Sequence, residues 1–320
     1  MRDNRRAADP VTVQGVDVVV VGAGIAGLSC ARALTEAGAR VRVLERGRVV
    51  GGRLASKRYD GRHTDIGAAY LVADDPDFRA QVTAWQSRGL IRPWTDTLRV
   101  HPGGGDASGP LRWAAPGGLR SLAEDLATDL PVRVSSPVDT LPTDADAVVL
   151  AMPGPQALRL DPPPGIAAAA RAQTWHPVIA ATLTYPSRDW PDFHGAFVNE
   201  HPVLATVCDD GDRRGDGAPV LVAHSTGDLA ARHLDDPEAA GPILADAVGE
   251  LLGLSARPEV RVHRWTFAQP DPGDTPYAVD GRVWLCGDAF GRPRVQTAWL
   301  SGRAVARALV SGEGPPALTR

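Results

Sequence analysis

The sequence predicts an α/β chain of two domains: a doubly wound parallel sheet, and a second domain built on a mostly antiparallel sheet. Three observations carry this. An apolar run near the start ends in a glycine-rich turn and leads directly into a helical pattern. A second strand-Gly-Asp-helix element lies near the end, and short alternating strands fill much of the chain between them. With 320 residues, two linked cores are the better expectation than one.

The first element is "VDVVVVGAGIAGLSCARALTEAGARVRVLER". Val16 to Val21 reads as a strand buried on both faces. Gly22, Gly24 and Gly27 follow at G-x-G-x-x-G spacing, which permits a tight turn, a bare-backbone approach to a pyrophosphate, and close helix–strand packing. Ile25 and Ala26 open the helix, whose first N–H groups would face phosphate. The helix runs to about Ala37 and stops at Gly38, where a left-handed cap belongs. Val41 to Leu44 forms the second strand, and Glu45 at its tip is placed to accept hydrogen bonds from an adenosine ribose. The bland alternative is a structural turn that binds nothing.

Two further motifs choose the dinucleotide. In "GRVVGGRLASKRYD", Gly51 and Gly52 again bring backbone close to a ligand, while Arg53 and Arg58 supply forks suited to phosphate oxygens. "HTDIGAAYL" puts Asp65 and Gly67 at an expected loop-to-strand junction leading to Tyr70. Near the end, Val283 to Cys286 reads as a strand, followed by Gly287, Asp288 and a helix from about Gln296 to Val310. Asp288 could bond the ribityl hydroxyls of a flavin, and the helix would aim its positive end at the isoalloxazine. Nicotinamide enzymes need none of these additions, so FAD is the expected cofactor.

Between these blocks, Pro76 to Leu90 reads as a surface helix, and "HPGGGDASGP" as a turn joining two strands. Leu119, Leu122, Leu126 and Leu130 recur at helical spacing. "VRVSSPVDTL" reads as a strand pair and "ADAVVLAMPG" as another buried parallel strand. From Thr174 to Gln269 five short alternating strands predict antiparallel sheet, interrupted by the helix "DPEAAGPILADAVGELLG", whose apolar stripe packs on it. The expected division is 1–74, 111–155 and 270–320 for the FAD-binding domain, with 75–110 and 156–269 for the substrate domain.

Composition excludes several classes. A net charge of −4 with scattered arginines gives no nucleic-acid footprint. Cys30, Cys208 and Cys286 are too few and too far apart for a disulfide framework or a zinc site, so no metal is expected and a reducing cytoplasm fits. The opening "MRDNRRAADP" leads into no apolar segment of signal or spanning length and is read as a disordered tail; no membrane association is expected.

The blocks GAGIAGLS, GGRLASKR, DIGAAY, LRWAAPGG, HRWTFAQP and CGDAFGRPRVQTAWLSG resemble, in order and along nearly the whole chain, the bacterial renalases of the flavin amine oxidase superfamily. The resemblance implies non-covalent FAD and the two-domain fold of amine oxidases and PHBH-like flavoproteins. It also implies oxidation of 1,2-dihydro isomers of NAD(P)H to NAD(P)+, by hydride transfer to flavin N5 with dioxygen as reoxidant. It further implies cofactor contacts at Arg46, Ala68, Val138, Val295 and Ala298, besides the glycine-loop residues. The sequence departs from the pattern where Ala69 replaces a glutamine, Leu71 an aromatic residue and "DAFGRP" a "DW" form.

Such a reaction asks little of side chains, because the dihydropyridine releases hydride while gaining aromaticity, and no general base is obligatory. Tyr70 and Trp265 are the expected flavin-facing aromatics. His224 and His263, on strands of the substrate sheet, are the candidates for orienting the substrate; core packing is the competing role for each. Two other readings stand beside this one. One is a flavin amine oxidase or desaturase of a specialised pathway, whose amine substrate must be unprotonated within an aromatic cage. The other is a non-catalytic dinucleotide-binding sensor.

Overall fold

The computed structural model describes residues 13, 15–103 and 105–312; the segment expected to form an N-terminal tail lies outside them. Six strands form the first sheet in the order Ala278–Asp280, Val283–Leu285, Ala147–Leu150, Asp17–Val21, Arg40–Leu44, Val132–Arg133. All neighbours are parallel except the first pair. Val18 to Val20 are essentially inaccessible, as a strand covered on both faces requires. Helices Ile25–Glu36 and Val295–Ser311 pack together on one side. Their contact is close because Gly302 lies against the helix backbone: a Cβ there would stand 2.0 Å from the Ala26 carbonyl oxygen.

Eight strands form the second sheet, in the order Glu259–Pro270, Trp175–Thr184, Val220–Ser225, Leu204–Asp209, Gly195–Val198, Arg92–His101, Gly105–Ala114, Leu71–Val72. Only Gly195–Val198 with Arg92–His101 is parallel. One face is apolar: Ile179, Ala181, Leu183, Val207, Leu221 and Ala223 pack with Leu244 and Val248 of helix Ala240–Leu252. The five alternating strands and this helix thus form as the sequence predicts.

Sorting residues by sheet and core moves several stretches relative to the expected division. Leu71–Val72 and Leu111–Ala114 belong to the second sheet. Helix Pro76–Ser87 instead places Phe78, Val82 and Trp85 in the core of the parallel-sheet domain. Ala157, Leu160, Ile166 and Ala170 likewise pack on Val19, Val148 and Leu285 of the parallel sheet.

Two local expectations are corrected. "VRVSSPVDTL" does not make a strand pair; only Val132–Arg133 is strand. Ser135 takes a positive φ of 51°, and the N–H groups of Ser135 and Ser136 donate to the Gly47 and Glu45 carbonyls at 2.7 and 2.8 Å, binding this segment along the Glu45 loop. Pro137 then removes a donor that a strand would need. Asp65 ends the hairpin strand Arg62–Asp65, a strand-to-loop junction, where loop-to-strand is the sequence expectation.

Candidate active site

The three glycine-bearing loops converge. Gly24 and Gly51 form a parallel backbone bridge, and the Gly51 N–H donates to the Ala23 carbonyl at 2.8 Å. The Arg53 carbonyl accepts from the Ala68 N–H at 2.9 Å, which zips the third block onto the second. Gly67 is small for this reason, since its Cβ would stand 2.0 Å from the Arg53 carbonyl oxygen. Arg53 also joins the second loop to the last: its Nη1 and Nη2 donate to the two carboxylate oxygens of Asp288 at 2.6 and 2.5 Å, and Nη1 to the Ala268 carbonyl at 3.0 Å.

The glycines of the first loop divide by role. Gly22 (φ 109°) and Gly27 serve packing, because Cβ atoms there would meet the Ala151 carbonyl oxygen at 2.6 Å and the Gly22 carbonyl oxygen at 2.0 Å. At Gly24 and Gly287 an added Cβ meets nothing within 4 Å. Bare backbone therefore faces open space at both, and Gly24 begins a helix with no side-chain cap and no acidic residue in its first turn. Glu45 sits at the tip of its strand; its Oε2 accepts from the Ala23 N–H at 2.8 Å and its Oε1 from the Gly47 N–H at 2.6 Å. This open cradle at a positive helix end, with a carboxylate alongside, fits a dinucleotide.

Other predicted cofactor residues lie nearby with different tasks. Ile25, Ala26 and Ala298 are buried in the helix pair, and Val295 and Val138 are half-buried. Gly52 (φ 52°) presses on Gly24, a Cβ standing 3.3 Å from its Cα. Arg46 is exposed. Arg58 is exposed too and donates to the Gly61 carbonyl at 3.1 Å within its own hairpin. Asp65 is 2% exposed and joins a buried ion cluster: it accepts from Ser56 and from the Leu119 N–H, and pairs with Arg214 at 3.2 Å.

That cluster was not legible in the sequence as a site. Asp210, Arg213 and Arg214, on the short helix Asp210–Arg214 of the second domain, meet Asp65 and Arg62 of the first. Burial raises the pKa of Asp210, but Arg213, Arg214 and Arg62 outweigh it and hold the carboxyl below its ordinary value. At Asp65 burial prevails over the same two neighbouring arginines and the value is raised. Arg213 also donates to the Ala69 carbonyl at 2.5 Å, and Trp265 Nε1 to the Ile66 carbonyl at 2.7 Å, so the second domain grips the segment leading to Tyr70 at two points.

The second face of the eight-stranded sheet holds the remaining predicted residues. Register places His263 opposite Ala180, Ala180 opposite His224, His224 opposite Thr206, and Thr206 opposite Phe197. Residues directly opposite share a face, so these five form one row. Neighbouring strands are about 4.8 Å apart, which puts the two histidine backbones about 10 Å apart across Ala180. Trp265, two residues beyond His263, stands edge-on to its ring at 4.5 Å. Burial, with Lys57 and Arg264, pushes His263 down to about 4; burial, with Arg213, does the same to His224, whose Nε2 has no partner among the described residues. At the far end Tyr70 lies 6.0 Å from Trp94, ring centre to ring centre, and burial raises its phenol pKa. Trp94, Phe197 and Arg112 are site residues that sequence reasoning did not single out; Arg112 lies inside the quoted LRWAAPGG block.

A scaffold that closes three loops around a dinucleotide cradle, beside a half-buried aromatic and imidazole face, defines a flavoprotein oxidoreductase fold. The chain belongs to the flavin-containing amine oxidoreductase family, whose pattern matches residues 94–310, and a NAD(P)-binding Rossmann-like domain matches residues 20–84. Its cofactor is FAD. Putrescine oxidase of Kocuria rosea is 44% identical over 82 residues, 26% of this chain and 17% of its own length. (S)-6-hydroxynicotine oxidase of Paenarthrobacter nicotinovorans is 47% identical over 58 residues, 17% of this chain and 14% of its own. The chain thus matches under a fifth of the length of these relatives. Cyclohexylamine oxidase from Brevibacterium oxydans IH-35A superposes with a TM-score of 0.72 at 16% identity, covering 93% of this chain and 99% of that one. Putrescine oxidase bound to putrescine gives 0.70 at 16%, covering 92% and 99%. At such identity the likeness is one of fold. No helix among the described residues is long and apolar enough to cross a membrane.

Proposed function

We propose that this protein is a FAD-dependent oxidase that converts 1,2-dihydro isomers of NAD(P)H to NAD(P)+, with dioxygen as the final acceptor. The observation that carries this reading is the chemistry of the half-buried sheet face. Its polar groups are two imidazoles held neutral above about pH 4, a threonine and a guanidinium. The buried carboxylates Asp65, Asp210, Asp209 and Asp288 are each paired with arginines. Among the described residues the row itself carries no carboxylate to seat an alkylammonium, and none is needed by a neutral ring that gains aromaticity on oxidation.

Bound FAD supplies the two-electron acceptor that dioxygen restores. Gly24, Gly287, Glu45 and the open end of helix Ile25–Glu36 would hold it, with the Arg53–Asp288 pair alongside. The residues of the face bind and orient. Trp265 and Tyr70 offer flat apolar surface, the gap over Ala180 admits a planar ring between the imidazoles, and a neutral His224 provides one donor and one acceptor for a ring amide.

Amine oxidation is the second reading. The family match, the similarity to putrescine oxidase and the tilted Tyr70–Trp94 pair, an aromatic wall of the kind that receives an amine, favour it. Anaerobic mixing of the yellow holoprotein separates the two. Bleaching within seconds by 1,2-dihydroNAD, with none by putrescine or cyclohexylamine, is the expected result. Bleaching by an amine alone would overturn it.

A further inference from the structure

We propose that Arg112 forms an anion subsite at the far end of the substrate face, so that the substrate carries an oxyanion, carboxylate or phosphate, away from its reacting ring. The inference rests on the reading of this face as the substrate's. Among the described residues three arginines are buried: Arg112 (6% exposed), Arg213 and Arg214. The last two are paired with Asp65 and Asp210. Arg112 has no carboxylate within ion-pair distance among the described residues.

Its compensation is partial. Nη1 donates to the Asp96 carbonyl at 2.8 Å and the Pro110 carbonyl at 3.5 Å, while Nε is buried with no partner. The guanidinium lies 5.4 Å from the centre of the Tyr70 ring and 5.9 Å from that of Phe197. Carbonyl dipoles, the Tyr70 hydroxyl and aromatic rings soften the cost of an interior cation but carry no opposite charge. Placement gives this vacancy of charge its meaning. Phe197 stands in the row with Thr206, two strand spacings or roughly 10 Å from His224, and the guanidinium, carried on a strand two further along the sheet, lies beside the Phe197 ring, so the cation borders the far end of the same surface. A ring lodged between the imidazoles could extend an anionic group towards Arg112, where a guanidinium edge suits two-point binding of an oxyanion.

The test titrates the yellow holoprotein with benzoate, phenyl phosphate and the neutral benzamide, reading perturbation of the flavin absorbance. At least one anion is expected to bind about ten- to a hundredfold more tightly than benzamide, as a charge-assisted hydrogen bond implies. Benzoate leading assigns a carboxylate, and phenyl phosphate leading assigns a phosphate. Arg112→Gln should abolish the preference, and Arg112→Lys, which keeps the charge but loses the fork, should keep part of it. Equal affinities in the unmodified protein overturn the proposal, as does a preference that survives in a flavin-loaded Arg112→Gln. Should that variant lose its flavin, an undiminished preference in Arg112→Lys overturns the two-point geometry. No turnover is needed, so an anion preference in a protein that bleaches only with amines would leave this subsite standing and remove the dihydropyridine reading. Bleaching by 1,2-dihydroNAD without anion preference would do the reverse.

Discussion

His224 should make the protein lose stability on mild acidification. The imidazole sits mid-row on the sheet, with an Nε2 that has no partner, and burial with the nearby Arg213 charge moves its pKa from 6.5 to about 4. The folded state therefore holds that proton less tightly than the unfolded chain does. For a histidine depressed in this way the stability is complete above the unfolded value of about 6.5 and drains as pH falls towards the folded value. Between about pH 7 and pH 5 one such group removes about 2 kcal/mol. His263 is pushed down as far but is more open to solvent, so its share is smaller.

Urea unfolding of the holoprotein at both pH values measures the loss, and His224→Gln isolates it. The variant should be less sensitive to acid by about 2 kcal/mol, its carboxylates contributing equally in both proteins. A pH slope unchanged by the substitution would refute the buried, neutral assignment. The same neutrality predicts that ligand binding shows no titration of this histidine between about pH 5 and 8.

Glu45→Ala should weaken FAD retention and leave the fold intact, because the carboxylate bonds only the Ala23 and Gly47 N–H groups; unchanged flavin occupancy in the purified variant counts against its role. Gly302→Val should part the two long helices and cost about 1–3 kcal/mol, read as a lowered thermal midpoint, since its Cβ has no room beside the Ala26 carbonyl. Asp210→Asn strips the buried arginines of their nearest counter-charge and should cost about 3–5 kcal/mol in urea unfolding. A loss under about 1 kcal/mol would show the cluster to be well hydrated.

The sequence is legible wherever local geometry demands a residue type. Gly22 and Gly27 are spaced as a strand-turn-helix requires, and their Cβ positions are filled by backbone. The alternation of the five later strands separates one face from the other, which is why His224 and His263 could be grouped before their row was visible. Asp65, expected from sequence beside the cofactor, is paired with Arg213 and Arg214, which lie about 150 positions away and which no period announces. No motif in the sequence marks the charge-dense run around Asp210, yet Asp210 and Arg213 are almost wholly buried. Likewise Arg53 and Asp288, expected separately on phosphate and ribityl groups, are joined to each other by a contact spanning 235 residues.

These long-range contacts tie the loops of the parallel-sheet domain to the antiparallel sheet whose half-buried face is proposed to receive substrate. Arg62, Arg213 and Arg214 are matched by Asp65, Asp210 and Asp216, so the interdomain cluster carries no net formal charge. Together with the Trp265 bond to the Ile66 carbonyl, it clamps the Ile66–Tyr70 segment between the sheets. A balanced clamp leaves Arg112 as the buried charge without an answering one on this face. On the reading proposed above a single guanidinium sets the charge this face accepts, and replacing that one group should change the preference without disturbing how the domains are joined.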